Sequence, residues 1–311
     1  MVPGQSPAAL PATEPAAVPE PGPLGASGEA GSIWRASVRT FAENRLAIAG
    51  LGIVVFMVLF CYVGPLVYRT NQVTTNLLAG DLPPSLAHPL GTTGAGYDVL
   101  GRLMVGGQNS LEMGFAVAIV STFIGTMYGA VSGYVGGVVD GLMMRIVDAL
   151  LAIPTLVLLL ILVNVFKPTL GLLIVVVSLL SWLGVARLVR GETLSLRVRE
   201  YVQAVKLVGG NRRRAVLRHI VPNAIGVVVV NASFTVADAI LVIATLSFLG
   251  LGLPPPAASW GGMLTDGLNY LYDGYWWLVY PVGATLVVTV VAFNFIGDAL
   301  RDSLDVRLRH R

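Results

Sequence analysis

RVREYVQAVKLVGGNRRRAVLRHIVPN, residues 197–223, lies between two long apolar segments. Seven of its residues are basic (Arg197, Arg199, Lys206, Arg212, Arg213, Arg214 and Arg218), in a chain of 311 residues that holds only 20 Lys and Arg. Hydrocarbon does not tolerate charge of that density, so the stretch is a water-exposed loop between spans, and its sign places it on the cytoplasmic side. The fold that follows is a set of helices crossing a bilayer, with loops whose charge sets their side.

The loop is patterned as a folded body. Tyr201, Ala204, Val205 and Val208 recur at helical spacing and predict a short amphipathic helix with one apolar face. Gly209-Gly210 breaks it. Asn211 is the N-cap of a second short helix predicted from Arg212 through His219, with Val216, Leu217 and Ile220 apolar, and Pro222 closes that helix before the next span. A helix, a glycine turn and a second helix with a basic rim suit docking into a partner's groove. The plainer reading, a positive loop that only sets topology, stands beside it at this point.

Hydrophobic residues make up 55% of the chain and charged residues 12%, with a mean hydropathy of +0.77. That is the balance of an integral membrane protein. A pI of about 9.1 would otherwise suggest nucleic acid. Here the basic residues gather in loops on one side of the spans, so the excess is topological and no nucleic-acid partner is expected. The single cysteine, Cys61, falls inside an apolar run, and the three histidines (His88, His219 and His310) are far apart. Neither a disulfide within the chain nor a metal cluster is expected. Residues 1–31, rich in Pro, Ala, Gly and Glu and without Lys or Arg, have the composition of a disordered tail and lack the basic start and apolar core of a cleaved leader.

At about 20 residues per crossing, six apolar segments can span: Leu46–Val67, Leu111–Tyr134, Ile146–Phe166, Thr169–Val189, Ala224–Leu249 and Leu278–Ile296. Pro154 is expected to kink the third. Seventeen basic residues then fall on one side, against Arg69, Arg102 and Lys167 on the other. Both termini are therefore expected in the cytoplasm. The chain divides into a cytoplasmic tail (1–31), an N-terminal segment with the first span (32–67), an extracytoplasmic segment (68–110), a core of spans (111–298) containing the loop 190–223, and a second cytoplasmic tail (299–311). Residues 254–277 form another extracytoplasmic stretch without Lys or Arg, and Trp276, Trp277 and Tyr280 beside it read as an interfacial belt. Gly125, Gly129 and Gly133, four apart, predict a smooth face for close helix packing.

A Walker motif needs glycines leading into Gly-Lys-Ser/Thr. The only lysines, Lys167 and Lys206, follow Phe and Val. The chain shows no nucleophile–base or metal-ligand constellation either, so it is not expected to be an enzyme. Driving energy enters either through another chain, docked on a loop such as 197–223, or by ion coupling. Asp238, in the fifth span, is the carboxylate placed deepest. It is either the proton site of a secondary carrier or, with Asn231 two turns away, part of a polar translocation path. No paired ionisable network accompanies it, which favours the path.

The run Glu200, Ala204, Gly209, Ile220 and Pro222 is similar to the EAA loop of ABC importer permeases, with Val205 at the second alanine and Val221 where leucine is common. HPLGTTGAGYDVLGRL (88–103), SGYVGGVVDGLMMRIVDALLAIP (132–154), LSFLGLGLPPPAASWGGML (246–264) and GDALRDSLDVRLR (297–309) resemble the C-type permease subunit of dipeptide and oligopeptide ABC importers. The resemblance implies an all-α membrane protein of type I ABC importer permease architecture, with six transmembrane helices, in the bacterial inner membrane. It implies a heterodimeric pore shared with a second, B-type permease subunit, and an extracytoplasmic binding protein that delivers di- or oligopeptides. It also implies two ABC ATPase subunits that bind ATP and Mg, with no cofactor on this chain. The coupling role then passes to Glu200, Tyr201, Ala204, Gly209, Arg212, Arg213, Ile220 and Pro222. Two departures stand out: Thr93, Gly96, Tyr97 and Asp98 fill a position where relatives usually have Asp-x-x-Gly-Arg-Asp, and Ile243 replaces a glutamate common in the fifth span. The same subunit type serves importers of nickel, glutathione and some sugars; peptides are the first expectation.

Overall fold

The computed structural model describes residues 40–70, 72–207 and 211–309, which are helical apart from loops and one isolated bridge between Thr92 and Asp98. Among these residues, five helices are long and apolar enough to cross a bilayer, and six spans result if one bent pair counts as a single crossing. Helix α1 (Arg45–Tyr62) starts at Asn44, whose Oδ1 accepts from the N–H groups of Leu46 and Ala47. After a break at Val63 it continues as the single turn α2 (Gly64–Val67).

Helix α3 (Val99–Val135) opens on Asp98, whose Oδ1 accepts from the Gly101 N–H at 2.8 Å. It therefore begins a full three turns before Leu111, inside the stretch the sequence suggested was extracytoplasmic. Arg102, Gln108 and Asn109 look like loop residues, but they serve as ties. Asn109 Nδ2 donates to the Ala258 carbonyl at 2.6 Å and Gln108 Nε2 to the Cys61 carbonyl at 2.7 Å. Trp260, fully buried, donates its indole N–H to the Leu103 carbonyl at 3.0 Å. Polar side chains that satisfy one another's segments can be buried without an unpaired-donor penalty.

The third crossing is broken. α4 (Gly137–Leu151) and α5 (Thr155–Val165) meet at 78° around Pro154, which has no N–H to continue the ladder. The expected kink is thus a full break. α6 (Leu170–Leu196) follows, capped by Thr169. The basic loop forms α7 (Glu200–Leu207) and α8 (Arg212–Ala215). Contrary to the sequence reading, Pro222 does not close a helix. The chain passes from α8 through a π-helical turn at Val216–Ile220 straight into α9 (Val221–Leu246), with Pro222, which has no N–H to give to the preceding turn, directly after the π turn. A second π turn, Ser247–Leu251, ends α9; α10 (Trp260–Leu268) and α11 (Tyr280–Arg309) complete the chain.

The predicted glycine face is real and it faces α6. A Cβ added at Gly125 would lie 2.5 Å from Val185 Cβ, one at Gly129 would strike the Ala186 carbonyl, and one at Gly133 would lie 2.8 Å from Thr193 Cβ. Two backbones approach here as closely as small residues allow, which is how helices associate where lipid supplies no hydrophobic drive. At the end opposite the basic loop, Trp277 is buried and its ring packs edge-on against Tyr275, so it is a core residue and no part of a belt; Trp276 and Tyr280 are exposed.

Candidate functional site

The basic loop is a folded body anchored on the bundle. Val202, Ala215 and Ile220 are fully buried, against Ala130 and Tyr134 of α3, Val185 and Val189 of α6, and Ala224 and Val228 of α9. The helix in the loop is thus amphipathic, but its buried face is set by Val202, with Val205 half-buried. Tyr201 and Ala204, expected on that face, point outward and are exposed. The bundle's own core offers a hole for one residue of so short a helix, and Val202 fills it. Val208 and Gly209 lie outside the described residues.

The outward face gathers most of the site expected from the sequence. Glu200, Tyr201 and Ala204 are exposed on α7, with Val198 just before them. Asn211 Oδ1 accepts from the Arg213 N–H at 3.2 Å, the expected cap, and Arg213, Arg214, Arg218 and Leu217 are exposed. Arg212 opens α8. Ile220 is spent on the core, while Pro222 remains exposed. A rim of arginines around exposed apolar and acidic groups is a surface that a groove-bearing protein can take.

Behind this face lies a polar network that the sequence reading did not single out. Asp140, in the first turn of α4, accepts from Arg190 Nε at 2.6 Å and Arg190 Nη2 at 2.7 Å, a bidentate pair, and from Ser132 Oγ at 2.5 Å. Nearby, Arg197 Nη1 donates to the Gly133 carbonyl at 3.0 Å. The chain turns between α3 and α4 on Gly136 and Gly137, at φ 69° and 60°, a left-handed backbone that only glycine adopts freely. The network therefore ties three elements together: the α3–α4 corner, α6, and the start of the loop. The only sequence signal was an aspartate and an arginine at the ends of apolar spans.

Asn231 and Asp238 lie on α9, away from the loop. With Thr245 they stand seven residues apart in turn, and so share one face. Asp238 and Thr245 are exposed and Asn231 is half-buried. Among the described residues Asp238 has no hydrogen-bond or ion-pair partner. Asp238, read from the sequence as the most deeply placed carboxylate, lies within α9 with its side chain exposed. By contrast, the exposed side of α1 from Leu46 to Leu59 is apolar: Leu46, Ile48, Leu51, Val55, Phe56 and Leu59. One face suits lipid; the other does not.

Comparison with known proteins gives a consistent result. Residues 125–310 match the family described as "Binding-protein-dependent transport system inner membrane component", and residues 32–84 match "N-terminal TM domain of oligopeptide transport permease C". The chain is similar to the oligopeptide transport system permease protein OppC of Bacillus subtilis (strain 168), 40% identical over 278 residues, covering 89% of this chain and 91% of that one. It is 42% identical over 283 residues to OppC of Escherichia coli (strain K12), covering 90% and 93%. It is 38% identical over 288 residues to the dipeptide transport system permease protein DppC of Bacillus subtilis, covering 90% of each.

Proposed function

The chain belongs to the family of binding-protein-dependent transport system inner membrane components, and on that premise we propose that it is the permease subunit of an ATP-driven importer that moves di- or oligopeptides into the cytoplasm. It is a multi-pass protein of the inner membrane. ATP and Mg are bound by two separate ATPase subunits, one of them docked on the exposed face of α7 and α8, and a second, B-type permease completes the pore. The substrate arrives from an extracytoplasmic binding protein. The excess of basic residues at the α7–α8 end puts that end, and both termini, in the cytoplasm.

One observation carries this reading. Val202 and Ile220 fasten the loop to the bundle's core, leaving Glu200, Tyr201 and Ala204 outward. A loop that served only to set topology has no need of a buried anchor. A rigid body seated on three helices transmits a push from below into the spans. Asp238 supports the second half of the reading, because a carboxylate mid-span on an exposed face is costly in lipid and acceptable against water or a partner chain.

The test is purification of the tagged chain from its native membrane, followed by uptake of labelled trialanine in proteoliposomes supplied with ATP and the binding protein. Recovery of a second permease and P-loop ATPases, with uptake that requires ATP, is the expected result. Recovery of the chain alone, with uptake driven by a proton gradient, would overturn it.

A further inference from the structure

At the end opposite the basic loop, the 68–98 segment and α10 enclose a cavity of about 360 Å³. That is within the range of small-molecule sites, about 300–1,000 Å³. Two opposite charges line it. Arg102, 6% exposed, is held in place from two sides: its Nη1 donates to the Pro256 carbonyl at 3.1 Å, and its guanidinium carbon lies 4.3 Å from the centre of the Tyr97 ring. Asp266, on α10, is accessible within the concavity, although the surrounding protein removes enough water to push its carboxyl above the usual carboxylate range, an effect that Arg102 partly opposes. Among the described residues the two form no direct ion pair.

A fixed guanidinium and a carboxylate facing one cavity without touching make a dipole with no ligand of its own. The carbonyl and the ring hold Arg102, so it does not swing across to Asp266. Its fork still offers donors beyond the one used by Pro256. A molecule that brings its own carboxylate to Arg102 and its own ammonium to Asp266 completes both groups at once.

We infer that this cavity binds short peptides as zwitterions, the carboxyl end on Arg102 and the amino end on Asp266, at a site separate from the α9 face. The choice of peptide as the zwitterion rests on the importer reading above; the dipolar site itself rests on the geometry. A peptide entering here waits beside the mouth of the spans, where release from the delivering protein leaves it.

Asn269, exposed at the cavity mouth, gives a direct readout. The native Cys61 is buried, so an Asn269→Cys chain carries a single reactive thiol. In the complete importer, without ATP or binding protein, trialanine is expected to protect that thiol from a membrane-impermeant maleimide in a saturable way. N-acetyl-trialanine amide, which has neither charge, gives no protection. Arg102→Gln and the isosteric Asp266→Asn each raise the half-protecting concentration roughly tenfold or more. Equal unprotected labelling rates in parent and variants show that the fold is intact.

Protection by both peptides alike, or protection unchanged in the two variants, would overturn the site. So would protection given by the ligand-free binding protein with no peptide present, which would make the cavity a seat for that protein. Protection lost in Asp238→Asn but retained in Asp266→Asn would move the peptide to the spans. ATP-dependent uptake in the same preparation tests the importer reading independently, so failure of one is distinguishable from failure of the other.

Discussion

Asp140 shows what a single residue does in this chain. Its carboxylate takes both prongs of Arg190 and the hydroxyl of Ser132, so both oxygens are occupied. Removing one partner leaves a shielded charge uncompensated. Arg190→Leu is expected to cost about 2 kcal/mol, less than the ~3–5 kcal/mol of a fully buried pair because Arg190 is partly exposed. Arg190→Lys, a point charge that cannot match two oxygens, should fall between wild type and Arg190→Leu. Thermal unfolding of the purified protein measures both, and equal midpoints for all three would remove the network from the account. Asp266 carries a different signature. Its folded carboxyl is raised above the ordinary 3.8, chiefly by burial, so folding favours the protonated form. That contribution is present at acid pH and is lost as pH rises through the folded value. Asp266→Asn should therefore flatten the decline of the unfolding temperature between pH 3.8 and neutrality. A slope identical to wild type would mean that Asp266 is as hydrated as in the unfolded chain.

At the scale of the helix, α7 separates support from function within a few residues. Val202 is buried to nothing and Ala204 is open. Val202→Ala removes two methyl groups from the core at the basic end and is expected to cost about 1.5–2 kcal/mol. Ala204→Trp adds bulk where the bundle offers no obstacle, so it should leave insertion and stability unchanged while abolishing co-purification of the ATPases. Retention of the ATPases by Ala204→Trp would place the coupling surface elsewhere. Periodicity made the existence of this helix legible but did not reveal its rotation, because eight residues make barely two turns and the hole that Val202 fills is formed by α3, α6 and α9. The glycine face of α3 was legible in full, since four-residue spacing of small residues has one common use in a bilayer. The start of α3 was not. Polar residues such as Gln108 and Asn109 are half-buried there only because carbonyls of distant segments receive them, and no local pattern announces that. The continuity of α8 into α9 was missed for a related reason. Proline closes a helix from within but opens one from its first turn, and the difference lies in the π turn that precedes it.

Across the whole molecule, surface character divides by direction. Between Leu46 and Leu59 the exposed face of α1 is apolar; the face of α9 that bears Asn231, Asp238 and Thr245 is interrupted by polar groups at every second turn. A lone chain in lipid gains nothing from such a face, whereas half of a shared pore requires one. That the chain crosses the bilayer several times could be read from length and hydropathy, but which face of a span is polar could not, because both faces are built on apolar helices. The orientation itself predicts that a reporter fused after Arg311 registers the cytoplasm, and a periplasmic signal would invert the assignment. The polar face is tested by replacing its charge in two ways. Asp238→Asn keeps shape and hydrogen-bonding capacity, and uptake of trialanine should fall only severalfold. Asp238→Leu turns the face apolar. If α9 faced lipid, leucine would be accommodated at least as well as aspartate and uptake would be undiminished. If the face lines a hydrated path, leucine dries it, and uptake should drop about tenfold or more, the consequence of losing roughly 1.4 kcal/mol or more of stabilisation for the solute in transit. Because Asp238 has no hydrogen-bond or ion-pair partner among the described residues, neither variant should alter folding, and a loss of uptake with the other subunits still recovered assigns the effect to the path.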